Sequence, residues 1–190
     1  MTLEKIIPFS HSLLKKIVQA GDIVVDGTIG NGNDTLLLAQ LVGKSGLVYG
    51  FDIQEKAIEN TKKRLEENNA LNQVRLFQKG HQYIKECIPN EHCGKVKAAI
   101  FNLGYLPKGD KSIVTKPETT IEAVKQLLEI ITTEGLIILV VYCGHEEGKI
   151  EQEQLHKFLI SLDQNIANVL LYQFINQKNN PPFIFAIEKK

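Results

Sequence analysis

The chain has 190 residues and a mass of 21.3 kDa, and its 22 Lys+Arg are balanced by 22 Asp+Glu for a formal net charge of zero. Hydrophobic residues at 43% and charged residues at 23% are ordinary globular proportions, which excludes extended disorder and suits one domain over residues 1–190. The longest apolar run, Gly135–Tyr142, is far below the ~20 residues of a membrane span, and a neutral surface argues against gripping nucleic acid with the whole molecule.

The first helical pattern covers Ser10–Ala20 and leads into a strand at Ile23–Asp26. Helix and strand then alternate: Asn33–Leu41 and Leu47–Phe51, Gln54–Asn68 and Val74–Gln78, His81–Ile88 and Val96–Phe101. The next helix, Pro117–Thr132, carries Ile121, Val124, Leu127, Leu128 and Ile131 as an apolar stripe before the strand Leu136–Tyr142. A helix at Gly148–Leu162 follows, and strands Val169–Phe174 and Phe183–Glu188 close the chain. The alternation predicts parallel strands joined by right-handed crossovers. Between the last two strands lie only Ile175–Pro182, too few residues for a parallel crossover, so those strands are expected to form an antiparallel hairpin. The expected fold is α/β: a Rossmann-like seven-stranded sheet, mostly parallel, with a C-terminal antiparallel hairpin. That architecture resembles the class I methyltransferases, which use S-adenosylmethionine (SAM).

Ligands of such sheets sit beyond the carboxyl ends of the strands. After the first strand comes Asp26-Gly27-Thr28-Ile29-Gly30-Asn31-Gly32-Asn33-Asp34-Thr35. Gly30 and Gly32 let the backbone turn beside a ligand, and Asn33 or Asp34 is expected to cap the helix that follows. Thr35 stands where a dinucleotide fingerprint needs its third glycine, and no Gly-Lys-Ser/Thr is present. Asp26 and Asp34 would repel a pyrophosphate, whereas the ammonium and sulfonium of SAM suit them. Asp26 is expected to attract the ammonium directly or through water. Asp52, closing the second strand, can accept both ribose hydroxyls, and Gln54 can help hold ribose or adenine. Gly80 and His81 follow the third strand, where adenine is usually covered. The expected cofactor contacts are Asp26, Thr28, Gly30, Asn31, Gly32, Asn33, Asp52, Gln54, Gly80, His81 and Asn102. Ordinary strand-end turns are the plainer alternative. Cys87, Cys93 and Cys143 make no zinc spacing, so no metal is expected.

After the fourth strand comes Phe101-Asn102-Leu103-Gly104-Tyr105-Leu106-Pro107. Methyltransferases acting on amines carry Asp/Asn/Ser-Pro-Pro-Tyr/Phe here. Asn102 and Tyr105 match the first and fourth members, while Leu103-Gly104 replaces the prolines. The Asn102 carboxamide oxygen and the Leu103 carbonyl can accept N–H bonds from an amine and aim its lone pair. Tyr105 can stack on a base or wall a sulfonium. Asn102 and Tyr105 are thus the expected catalytic pair. A simple bend after a core strand is the alternative.

Tyr142-Cys143-Gly144-His145 follows the fifth strand at the same sheet edge, where His145 is expected either to contact substrate or to be a helix-capping or surface histidine. Asn179-Asn180-Pro181-Pro182 is expected to turn the terminal hairpin, either as a stiff turn only or as one whose position places Asn180 near the pocket. With the two earlier motifs, these resemble a family of bacterial class I methyltransferases labelled "putative rRNA methylase", similar to the MnmM/YtqB-type tRNA enzymes. The resemblance implies N-methylation of 5-aminomethyl-2-thiouridine at the tRNA wobble position, giving 5-methylaminomethyl-2-thiouridine. It also implies SAM as cofactor and a tRNA anticodon stem-loop as partner. The start Met1-Thr2-Leu3-Glu4-Lys5 lacks the basic and apolar stretches of a signal peptide, so a cytoplasmic place away from membranes is expected. A homodimer is the other expected association. Alternatives are methylation of rRNA or a small amine, or a non-catalytic SAM-binding module.

The charge distribution bears on RNA. Lys95, Lys97, Lys108, Lys111 and Lys116 face one acid, Asp110, for a local +4, whereas Glu118–Asp163 sums to −6. The basic stretch encloses Asn102–Tyr105, so Leu103, Tyr105, Lys108, Lys111 and His145 are the expected substrate contacts. On composition alone, a solvated lysine-rich loop is the plainer reading.

Overall fold

A computed structural model of the chain describes residues 2–104, 115–142 and 146–190. In chain order it contains α1 (Ile6–Ile17), β1 (Ile23–Asp26), α2 (Asn33–Val42), β2 (Leu47–Phe51), α3 (Glu55–Glu67), β3 (Val74–Phe77), α4 (Ile84–Cys87) and β4 (Val96–Leu103). These are followed by α5 (Pro117–Ile130), β5 (Ile131–Val141), α6 (Glu146–Ile160), β6 (Ala167–Tyr172) and β7 (Phe183–Lys189). One sheet runs in the order β3-β2-β1-β4-β5-β7-β6. Its first five strands are parallel, β7 pairs antiparallel with β5, and β6 pairs antiparallel with β7. This is the class I methyltransferase sheet, with its terminal hairpin.

Period-two alternation sends the strand side chains into two cores. Phe101, Leu103, Leu139 and Val141 pack with Leu127 of α5 and Leu155 of α6 on one face. Ala98, Ile100, Ile138 and Val140 pack with Leu14 of α1 and Leu38 of α2 on the other. A sheet covered on both faces has strands buried throughout, which is why β4 and β5 read as continuous apolar runs.

Several boundaries differ from expectation. α1 begins at Ile6 rather than Ser10. Pro8 falls in its first turn, where a missing backbone N–H costs no intrahelical bond. The expected helix His81–Ile88 is split into a 3₁₀ turn at His81–Tyr83 and the short α4. β5 starts at Ile131, immediately after α5, and its register against β4 shifts between Val96 and Ala98. Glu134 takes up that irregularity with φ 59°. β4 also runs on to Leu103, which places Asn102 inside the strand, opposite Val140, rather than in a bend after it.

Among the described residues no helix is long and apolar enough to cross a membrane. Cys87 and Cys93 are free thiols, and no cluster of three or more His, Cys, Asp or Glu is arranged to hold a metal among those residues.

Candidate cofactor and acceptor site

The carboxyl ends of β1, β2 and β4 bring the expected site residues to one edge of the sheet. Asp26 is fully buried, and both its oxygens are engaged: the Thr28 N–H donates to Oδ1 at 3.1 Å and the Thr35 hydroxyl to Oδ2 at 2.6 Å. Asp26 therefore clamps the glycine loop closed, instead of offering an open carboxylate to an ammonium. Burial first, and then the neighbouring Asp34, push its carboxyl up to about 7. Gly27 lies so close to Phe101 that a Cβ there would sit 2.1 Å from the ring. Gly32 caps α2 in the left-handed region at φ 76°, with Thr61 against it. The expected caps Asn33 and Asp34 thus fall inside the helix; Asn33 is exposed, and the Asp34 side chain is free for other contacts.

The loop is held from outside by α3. Thr61 donates its hydroxyl to the Gly30 carbonyl at 3.2 Å, Arg64 donates Nε–H to the Asn31 carbonyl at 2.7 Å, and Asn60 donates to Asn31 Oδ1 at 3.2 Å. Sequence reasoning missed this trio. The available signal was Arg64, one of only two arginines in a chain that otherwise uses lysine.

Asp52 closes β2. It accepts the Gly30 N–H on Oδ2 at 3.1 Å and the Gln54 N–H on Oδ1 at 3.0 Å. Partial burial raises its carboxyl, while those backbone donors pull it down. Beside it Ile53 is 54% exposed, an apolar surface that the sequence reading passed over. His81, after Gly80, is buried with Nδ1 3.1 Å from the Gly27 carbonyl. A carbonyl only accepts, so Nδ1 carries the hydrogen and Nε2 carries the lone pair. Nε2 is buried without a partner among the described residues, and burial lowers the imidazole to about 4, so the ring is neutral at physiological pH.

On β4, Asn102 donates its backbone N–H to Thr28 Oγ1 at 2.7 Å and its amide Nδ2–H to Asp34 Oδ2 at 2.6 Å. The other Asp34 oxygen meets His11 Nε2, on α1, at 2.7 Å. Nothing in the sequence marked His11. The Leu103 carbonyl, expected to receive an amine, accepts the Tyr142 N–H at 3.3 Å on a residue that is 1% exposed. Tyr142, 38% exposed, borders Gly104, and burial with the nearby Asp34 charge raises its phenol. It supplies the described aromatic wall of the site.

Tyr105, Lys108, Lys111 and His145 lie outside the described residues. Lys95 and Lys97 stand at the opposite, amino end of β4, roughly 20 Å from Asn102 at the usual strand rise. The local +4 is thus not one patch: only Lys116, next to Thr115 whose N–H meets the Gly104 carbonyl, is described on the Asn102 side. Asn180, exposed with φ 47°, precedes β7, whose first residue Phe183 pairs with Val141 at that same sheet edge.

Comparison with known proteins agrees with this fold. The profile of a family described as "Putative rRNA methylase" matches residues 48–188. A relative from Arabidopsis thaliana, "tRNA (mnm(5)s(2)U34)-methyltransferase, chloroplastic", is 36% identical over 189 residues, covering 95% of this chain and 68% of its own length. Among solved structures, a "putative rRNA-methylase" from Clostridium thermocellum matches with TM-score 0.96 and 47% identity over 100% of both chains. A "putative methyltransferase" from Streptococcus mutans in complex with SAH matches with TM-score 0.89 and 39% identity, again over 100% of both. The chain belongs to this rRNA-methylase-type family of class I methyltransferases.

Proposed function

We propose that the protein transfers a methyl group from SAM to the amine of 5-aminomethyl-2-thiouridine at the tRNA wobble position. The observation that carries the reading is Asn102: its carboxamide is fixed by Asp34 beside the glycine loop and Asp52, at one sheet edge. The name of the Arabidopsis relative, a tRNA (mnm(5)s(2)U34)-methyltransferase, supports the same acceptor.

The residues present fit the cofactor. Asp52 would take the ribose hydroxyls, Ile53 and Gln54 the adenine side, and the loop from Thr28 to Gly32 the methionine part. The orphaned Nε2 of His81 is the kind of acceptor that an exocyclic amino group satisfies. When bound, SAM supplies an electrophilic methyl on a sulfonium. The chain's own residues do the rest: Asn102 Oδ1 accepts an amine N–H and directs the nitrogen lone pair, and Tyr142 shields the acceptor from water. Tyr105, Lys108, Lys111 and His145 complete the substrate side of the proposal, the lysines against anticodon phosphates. A splayed, single-stranded wobble base suits a pocket at the open sheet edge.

Asp52→Ala is expected to weaken SAH affinity roughly a hundredfold, since two hydrogen bonds to a charged acceptor are lost. An unchanged calorimetric constant removes Asp52 from the cofactor site. The acceptor is tested by mass spectrometry of tRNA nucleosides from cells with and without the gene. Loss should make the aminomethyl precursor accumulate; if it does not, rRNA or a small amine becomes the acceptor to test.

The proposal places one catalytic domain in the cytoplasm. It also includes a homodimer, supported by the open edge strand β6, where Val169, Leu170 and Leu171 are 37–50% exposed. Sedimentation showing only monomer at micromolar concentration removes that part.

A further inference from the structure

Asn102 has a carboxamide whose two ends differ only in hydrogen-bonding sense, and rotation about its terminal torsion is cheap in an open site. Its direction is set by a chain of contacts that begins on α1. His11 Nε2 meets Asp34 Oδ1 at 2.7 Å, and Asp34 Oδ2 receives the Asn102 Nδ2–H at 2.6 Å. A carboxylate only accepts, so both neighbours turn donors toward it: the amide nitrogen of Asn102, and His11 with its hydrogen on Nε2. Asp34 is 9% exposed and the His11 side chain 28%, so neither bond is a freely solvated surface contact. With its nitrogen committed to Asp34, the Asn102 carbonyl oxygen points the other way.

We propose that Asp34 and His11 are positioning residues for methyl transfer: His11 pins Asp34, Asp34 pins the Asn102 amide, and Asn102 Oδ1 is thereby presented to an N–H of the accepting amine. This rests on the amine-methylation reading. It explains why a helix lying before β1 reaches into the site, and why Asp34 leaves the capping role its sequence position offered. Loss of His11 frees Asp34 to rotate toward solvent, and the amide of Asn102 then samples both orientations. Only one of them aligns an amine.

The test uses the full chain with His11→Ala, His11→Gln and Asp34→Asn. Gln can donate to Asp34 as His11 does. Three readouts are taken: turnover at saturating SAM and tRNA, SAH affinity by calorimetry, and the side-chain amide NMR resonances of Asn102 in ligand-free protein, assigned by their loss in Asn102→Ala. In the wild type one amide proton should be shifted downfield by the charged acceptor. His11→Ala should move it back, cut turnover about 10- to 100-fold and leave SAH affinity within about twofold. Asp34→Asn should do the same, and His11→Gln should recover much of both signals. Wild-type turnover and an unmoved Asn102 resonance in His11→Ala overturn the proposal. So does a loss that Gln fails to rescue and that falls equally on SAH affinity, since that is the mark of a general structural defect. If wild-type protein methylates no tRNA amine, the acceptor reading fails, while the NMR arm still judges the orientation of Asn102.

Discussion

Asn102→Ala is expected to lower methyl-transfer turnover by about a hundredfold or more while SAH affinity stays within about threefold. The residue sits inside β4, opposite Val140, so its backbone position is set by the sheet rather than by its own side chain. Alanine keeps the backbone N–H bond to Thr28 and with it the contact between β4 and the glycine loop. What disappears is the carbonyl oxygen that the proposal gives to the acceptor nitrogen, while the Leu103 carbonyl stays paired with the Tyr142 N–H. Displacement at a methyl group needs nucleophile, carbon and leaving group in line, and small misplacements cost large factors in rate. Single-turnover kinetics with tRNA, alongside calorimetry with SAH, separate the two effects. An equal loss of SAH binding assigns Asn102 to the cofactor instead. Asn102→Asp is the sharper variant: it sets a second carboxylate against Asp34, 2.6 Å from the present amide nitrogen, so turnover at neutral pH should be no better than with alanine.

The sheet was legible because its signals are local. Apolar runs separated by helical periodicity define parallel strands, and a connection too short for a crossover defines the hairpin. Asp52 and the glycine loop were legible for the same reason, since each follows its strand directly. The site's interior was not. His11 and Asn102 are 91 positions apart, and their link through Asp34 depends on where α1 packs on the sheet, which no spacing encodes. Within the basic stretch, sequence proximity to Asn102 is not spatial proximity for two lysines: a strand carries Lys95 and Lys97 away to the far edge. The start of β5 was hidden by Ile131, whose apolar side chain fits a helical stripe and a buried strand equally well.

Asp26→Asn is expected to stabilise the ligand-free protein at pH 8, hardly at all at pH 4, and to weaken binding of the cationic cofactor. The folded carboxyl is pushed up to about 7 from an ordinary 3.8, by burial and then by Asp34. Between those two values the folded chain holds a proton that the unfolded chain has released. Stability contributed by this group is therefore fully present below about pH 4, is lost as pH rises toward 7, and is level above that. The shift corresponds to an upper bound on the order of 4 kcal/mol at pH 8. Asparagine is the same shape, can accept the Thr28 N–H on Oδ1 while its amide N–H donates to a turned Thr35 hydroxyl, and never ionises. The melting temperature of Asp26→Asn relative to wild type should therefore climb between pH 5 and pH 8, by roughly 5 °C or more. Taking the difference cancels every other titrating group. The same proton explains the cost of the substitution in binding: a ligand bearing an ammonium and a sulfonium favours ionised Asp26, so wild-type affinity for SAM should tighten as pH rises from 6 to 8, with proton release visible by calorimetry in buffers of different ionisation enthalpy. In Asp26→Asn that pH dependence should flatten. Parallel stability curves for the two proteins across this range would mean that Asp26 is already ionised in the folded chain, and that the clamp on Thr28 and Thr35 holds a charge rather than a proton.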